Sequence, residues 1–213
     1  MAVRAISISN MLKKKHETFD FEAPWSFAFG VDPSDSGIWL IWGKEKNGKT
    51  TFALMLARYL STMKKVAYVS AEEGTDKEFT EACLRAGLST TDKNLNFYEY
   101  IELVELRQIL KKRNSPDVVF LDNITAYRDE LKQNAIQNLK TEFPNKLFVF
   151  LAHEERKEPS PSQARNCKRL AKVIVHVVGL KAIVSGRVTG GEYLINEEKA
   201  QLFWGESNNE SDE

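Results

Sequence analysis

The stretch Gly43-Lys-Glu-Lys-Asn-Gly48-Lys49-Thr50-Thr51 lies between an apolar run, Gly37-Ile-Trp-Leu-Ile-Trp-Gly43, and a segment whose Phe52, Met55, Leu56, Tyr59 and Leu60 share one helical face. It fits G-x-x-x-x-G-K-[ST] at every fixed position. The glycines let the backbone curl so that successive N–H groups point inward at an anion. A helix beginning at Lys49 adds the positive end of its dipole to the same place. A buried strand before and an amphipathic helix after are the context in which this spacing wraps a phosphate chain.

The rest of the chain repeats that rhythm. Strands are predicted at 65–70, 95–98, 117–121 and 146–151, and helices at 49–63, 75–86, 102–113 and 129–142, the last stopped by Pro144. Fully apolar strands alternating with amphipathic helices indicate an α/β fold, a mostly parallel sheet flanked by helices. After residue 152 the texture changes. Residues 153–166 read as a polar, proline-bearing loop, and 171–178, 181–185, 192–195 and 200–204 read as C-terminal antiparallel hairpins on one edge of the sheet, with turns at Gly179 and Gly190-Gly191. Three regions follow: an N-terminal arm (1–35), a nucleotide-binding domain (36–205) and a polar, acidic, disordered tail (206–213). In the arm, Phe19, Phe21, Trp25, Phe27 and Phe29 alternate as in a strand. They would pack either on their own domain or on a neighbouring copy.

Composition bounds the partners. Lys plus Arg (30) equals Asp plus Glu (30), so any attraction to a polyanion must come from local clustering. Cys83 and Cys167 form no CxxC pair and no disulfide framework, which points to a reducing, cytoplasmic setting. No apolar run is long enough for a membrane span.

The loop predicts ATP with Mg2+ as its ligand. Gly43, Lys44, Glu45, Lys46, Asn47, Gly48, Lys49, Thr50 and Thr51 would surround the phosphates, with Lys49 on the β and γ phosphates and the Thr50 hydroxyl on the metal. A second metal-shell group is expected from the strand Val118-Val-Phe-Leu-Asp122, whose terminal Asp122 arrives at the ligand edge of a parallel sheet. The strand ending at Ser70 delivers Glu72 and Glu73 to that edge, and Glu72 is the better placed to position water.

Taken in order, Gly43–Thr51, Tyr68-Val-Ser-Ala-Glu72, Phe120-Leu-Asp122-Asn-Ile-Thr-Ala126 and Phe148-Val-Phe-Leu-Ala-His153 resemble the motifs of the RecA-like P-loop ATPases, the RecA/RadA/DnaB superfamily. Within it the chain is similar to small phage-type recombination ATPases. The resemblance implies a Mg-dependent, DNA-stimulated ATPase that assembles as a ring or filament on single-stranded DNA in recombination or replication. It makes Glu72 the catalytic glutamate and His153 the sensor of the γ phosphate. Arg156, Lys157, Arg165, Lys168 and Arg169 correspond to a DNA-binding loop, diluted here by Glu154, Glu155 and Glu158. Arg187 corresponds to a cation that reaches the ATP of the next subunit. Ser185 stands where the family has a second cation, and the family's first DNA-binding loop is short or missing. A KaiC-like regulatory ATPase without DNA binding is the alternative; a small-molecule kinase would need an arginine-rich lid that the sequence lacks.

Overall fold

The computed structural model describes residues 5–132 and 134–209, with side chains to residue 204. The elements run α1 (Ile8–Leu12), α2 (Trp25–Phe29), β1 (Gly37–Gly43), α3 (Lys49–Ser61), β2 (Val66–Ser70), α4 (Lys77–Arg85), β3 (Leu95–Tyr98), α5 (Leu103–Leu110) and β4 (Val118–Asp122). There follow α6 (Ala135–Glu142), β5 (Leu147–Glu155), β6 (Glu158–Ser160), α7 (Ser162–Leu170), β7 (Val173–Val178), β8 (Lys181–Gly186), β9 (Gly191–Leu194) and α8 (Glu197–Asn209).

One sheet contains all nine strands in the order β3-β2-β4-β5-β1-β7-β8-β9, with β6 folded back on β5. From β3 to β7 the neighbours are parallel; β8 and β9 are antiparallel. Both faces of the central strands are covered, which explains their unbroken apolar runs. Successive residues of β1 point to opposite faces: Trp39 and Ile41 join α3 residues Phe52, Leu56 and Leu60, while Ile38, Leu40 and Trp42 join Leu106, Tyr127 and Leu139.

The arm belongs to the same core. Phe19, Phe21, Trp25 and Phe29 are all buried. The strand-like alternation does not hold through the arm: Trp25–Phe29 is a helical turn after Pro24, so Trp25, Ala28 and Phe29 face inward at helical spacing while Phe27 is 73% exposed. A period of two and a period of 3.6 both place 25 and 29 together; residue 27 distinguishes them.

Three other expectations change. Residues 153–166 are not a loop. β5 runs on to Glu155, turns through Arg156 and Lys157 at φ 51° and 64°, returns as β6 and continues into α7. Two successive left-handed residues make a two-residue hairpin turn, and without Gly or Asn they left no turn signature to read. The expected strand at 200–204 lies inside helix α8. Asn196 caps it, its Oδ1 accepting from Lys199 N (3.0 Å), and Glu197 and Glu198 occupy the first turn, where carboxylates favour a helix. Finally, the helix expected over 129–142 begins only at Ala135, after a series of turns that buries Tyr127 and Leu131. The acidic tail was expected from 206; the backbone of α8 continues through 209, and residues 210–213 lie outside the described part.

Candidate active site

The register of the sheet assembles the site. Gly43 pairs with His153 across β1 and β5, and Ser70 pairs with Asp122 across β2 and β4, so the carboxyl ends of these strands form one edge. Gly43 can take no side chain: a Cβ there would lie 2.2 Å from the Val177 carbonyl oxygen. Gly48 caps α3 in the left-handed region (φ 95°) and offers no side-chain acceptor, which leaves the first N–H groups of the helix for a ligand. Asn47 braces the loop from behind, its Oδ1 accepting from Gly179 N at 2.8 Å.

The loop and the strand ends enclose a cleft of about 310 Å³ lined by Glu45, Lys46, Lys49, Thr50, Ser70, Glu72, Glu73, Asp122, Asn123 and His153. The Lys49 ammonium donates to the Lys44 carbonyl at 2.8 Å. Burial lowers its pKa, while Asp122, Glu45, Glu72 and Glu154 act in the opposite direction. Asp122 is buried and accepts from the Tyr68 hydroxyl (2.6 Å). Burial pushes its carboxyl up to about 6; the Tyr68 hydrogen bond and Lys49 favour the ionised form, and Glu73 and Glu72 oppose it.

A second set of contacts joins Glu72, Asn123 and His153. Asn123 Nδ2 donates to Glu72 Oε2 and to His153 Nε2 (2.7 Å), and Asn123 Oδ1 accepts from Thr125 N (2.6 Å). Glu72 and His153 also approach each other at 3.4 Å. One amide thus holds the acid and the imidazole at fixed positions beside Lys49 and Thr50. Glu73 lines the cleft too, its carboxyl raised by burial and by Glu72, but the contacts to Asn123 and His153 belong to Glu72.

Backbone amides at a strand-to-helix corner, a lysine, a hydroxyl, a buried aspartate and a tethered glutamate at one sheet edge suit a magnesium–nucleotide complex. No protein-family model matches the chain. Over 134 residues, 61% of the chain, it is 31% identical to the DNA repair protein RadA of Aquifex aeolicus (strain VF5), and the chain spans 29% of that protein's length. The structure matches the crystal structure of flagellar accessory protein FlaH from Methanocaldococcus jannaschii with a TM-score of 0.58 at 17% identity, covering 80% of this chain and 87% of that one. The chain has a RecA-like fold.

Within this RecA-like core the residues expected at the nucleotide come together: the Gly43–Thr51 loop, Glu72, Asp122 and His153. Arg187 does not join them. Gly186 pairs with Val173 at the start of β7, and Arg187 N donates to the Lys172 carbonyl (2.6 Å), so Arg187 sits at the sheet edge opposite the phosphate loop. The other expected cations divide between two elements. Arg156 and Lys157 are exposed at the β5–β6 turn, and Arg165 and Arg169 are exposed on α7. Lys168 is engaged, 3.0 Å from Glu158 and over the Trp42 ring at 4.9 Å. Sequence reasoning assigned nothing to Asn123 or Tyr68. Asn123 lay inside a quoted motif, but its hydrogen bonds reach residues 51 and 30 positions away, and no local pattern carries that information. Among the described residues no helix is long and apolar enough to cross a membrane.

Proposed function

We propose that this chain binds ATP with magnesium in the Gly43–Thr51 loop and hydrolyses it, acting on single-stranded DNA. The observation that carries the hydrolytic reading is the convergence of Glu72, Asn123 and His153 beside Lys49, Thr50 and Asp122 in one cleft. Loop amides and the α3 N-terminus would hold the phosphate oxygens, and Lys49 would move from its loop carbonyl to the β and γ phosphates. Thr50 and Asp122 would hold the metal, which when bound supplies charge neutralisation on the transferring phosphoryl group. Glu72 would orient the attacking water and accept its proton, with Asn123 fixing the carboxylate. His153 shares that amide, so a change at the γ phosphate would be felt by the β5–β6 hairpin that follows it. That hairpin and α7 expose Arg156, Lys157, Arg165 and Arg169, which suit sequence-independent contacts to a phosphate backbone. The likeness to a DNA repair protein supports this reading.

A regulatory ATPase without DNA is the second reading. It is favoured by the neutral overall charge, by the pairing of Lys168 with Glu158, and by the fold match to FlaH, a flagellar accessory protein. ATP turnover with and without single-stranded DNA, across a salt series, separates the two. The DNA reading expects stimulation that weakens steeply with salt; steady turnover indifferent to DNA would leave the regulatory reading in its place.

A further inference from the structure

Lys65, Lys146 and Lys172 stand immediately before β2, β5 and β7. Those strands are parallel and alternate with β4 and β1, so the three lysines lie along the amino-terminal edge of the sheet, at the opposite end of the strands from the cleft. Neighbouring strands are about 4.8 Å apart, which spaces these lysines by roughly 10 Å. Lys112 and Arg113, exposed in the turn after α5, and Lys140 near the end of α6 add to the row. Among the described residues none of these six cations has an ion-pair partner, whereas Lys64 and Lys111 beside them pair with Asp35 and Glu142. The Lys172 ammonium donates to Ser34 Oγ (2.6 Å), and that of Lys146 to Ser115 Oγ (3.0 Å) and the Pro116 carbonyl (2.6 Å). Burial lowers the pKa of Lys172; the charges of Lys140 and Arg187 act in the same direction and Asp35 opposes them. Burial lowers Lys146 as well, against Asp117, which stands between β2 and β5 at the start of β4. The carbonyl ends of α3, α5 and α6 arrive just before β2, β4 and β5, and their partial negative charge lessens the repulsion within the row. At one end of the row, between β2, β3 and the turn after α5, opens a groove of about 370 Å³ whose lining includes Lys65, Asn96, Tyr98, Lys112 and Asn114.

We propose that this amino-terminal edge is a second contact for a single-stranded nucleic acid, with Lys65, Lys112 and Arg113 on its phosphates, Lys146 and Lys172 extending the positive field, and an unpaired base in the groove beside Tyr98. The chain as a whole is neutral, so a row of cations without acidic partners is a local feature and not a by-product of composition. Such cations hold phosphates of any sequence by releasing their counterions. The groove selects among polyanions. Two carboxamides and a phenol ring in a recess of this size suit a flexible chain with planar bases, and a flat anionic bilayer could not enter it. The edge is separated from the β5–β6 hairpin by the length of β5, so it adds a second face to the nucleic-acid reading and can fail or stand apart from it.

The test follows the fluorescence anisotropy of a labelled oligo(dT) on the full chain, with Mg-ATP, over a salt series. Lys65→Gln, Lys112→Gln and Arg113→Gln combined are expected to weaken binding by about tenfold or more and to lower the slope of log affinity against log salt by about 2, at roughly 0.7 per lost phosphate contact. These three side chains make no hydrogen bond or ion pair among the described residues, so the melting midpoint should stay at that of the wild type. Lys13→Gln, Lys14→Gln and Lys15→Gln combined remove the same charge from the arm and are expected to stay within about twofold of wild type. Equal weakening in the two triple variants assigns the effect to net charge and overturns the site. Arg156→Ala with Lys157→Ala reads the hairpin separately. Weakening there and none in the edge variant overturns the edge and leaves the nucleic-acid reading standing; the reverse supports the edge and removes the hairpin. An abasic oligomer bound as tightly as oligo(dT) overturns the base in the groove. Sedimentation with phosphatidylserine vesicles that is lost in the edge variant, at unchanged oligo(dT) affinity, makes the edge a membrane contact and overturns the proposal. A wild-type chain that binds no oligo(dT) removes both nucleic-acid faces.

Discussion

The Tyr68 hydroxyl donates a 2.6 Å hydrogen bond to Asp122 Oδ2 in the interior of the sheet, linking the strand that delivers Glu72 to the strand that ends in Asp122. The bond favours the carboxylate, yet burial outweighs it and holds the folded pKa at about 6, against 3.8 ordinarily. Between those values the folded chain keeps a proton that the unfolded chain releases, so this group's contribution to stability is full below 3.8 and falls as pH rises to about 6. Without ligand, an ionised Asp122 at neutral pH costs up to about 3 kcal/mol. Asp122→Asn should therefore raise the urea midpoint of the ligand-free protein at pH 7, converge with wild type near pH 4, and lose magnesium-dependent turnover. A variant no more stable than wild type at pH 7 would show that the carboxylate is not strained.

Glu72 and Glu73 are adjacent in sequence and differ in their contacts. Glu72→Gln keeps an oxygen for Asn123 and should bind ATP normally while turnover drops by about a hundredfold or more, the usual worth of a general base. Glu73→Gln should stay within a few-fold of wild type. Asn123→Ala frees both Glu72 and His153 and should lower kcat by about tenfold to a hundredfold with little change in KM. Equal losses in Glu72→Gln and Glu73→Gln would remove the distinction. Single-turnover measurements read these effects at the chemical step.

Because Arg187 stands at the far edge of the sheet from its own phosphate loop, any part it plays in hydrolysis must be played in a neighbouring copy. Arg187→Ala and Lys49→Ala should each be inactive alone. Mixed in equal amounts, they should regain turnover, because some interfaces join an intact loop to an intact arginine. Failure of the mixture, or normal turnover by Arg187→Ala alone, would end the intersubunit role.

Trp25 ties the arm to the domain by stacking on Tyr193 (4.2 Å between centroids) and Tyr59 (5.2 Å). Its truncation to Ala should cost about 3–5 kcal/mol, as for other buried tryptophans. A melting curve reads the loss, and a cost under about 1 kcal/mol would mean the arm is dispensable to the core.

Elements whose signal is local were legible in advance. β1, β2, β4 and β5 are short apolar runs that fit only a sheet covered on both faces, and α3 follows a glycine-lysine-threonine corner with few alternatives. Where the signal was degenerate, reading failed. Trp25 to Phe29 fits two periods; Arg156-Lys157 turns a hairpin without turn residues; Ala200 to Trp204 has the apolar character of a strand, although the Asn196-Glu197-Glu198 start of a helix stood just before it.

Residue order alone was enough to specify a glycine-bounded corner between strand and helix, the strand-end acids near it and the alternating layers around them, because hydrophobic period and glycine spacing act over a few residues. It could not say that one amide, Asn123, would hold Glu72 and His153 together, that Arg187 would stand at the opposite sheet edge from the loop, or that α8 would lie over the turn at Gly179. Those facts depend on which strands pair and in what register. That is settled by the burial of whole faces of the sheet and not by any segment of the chain.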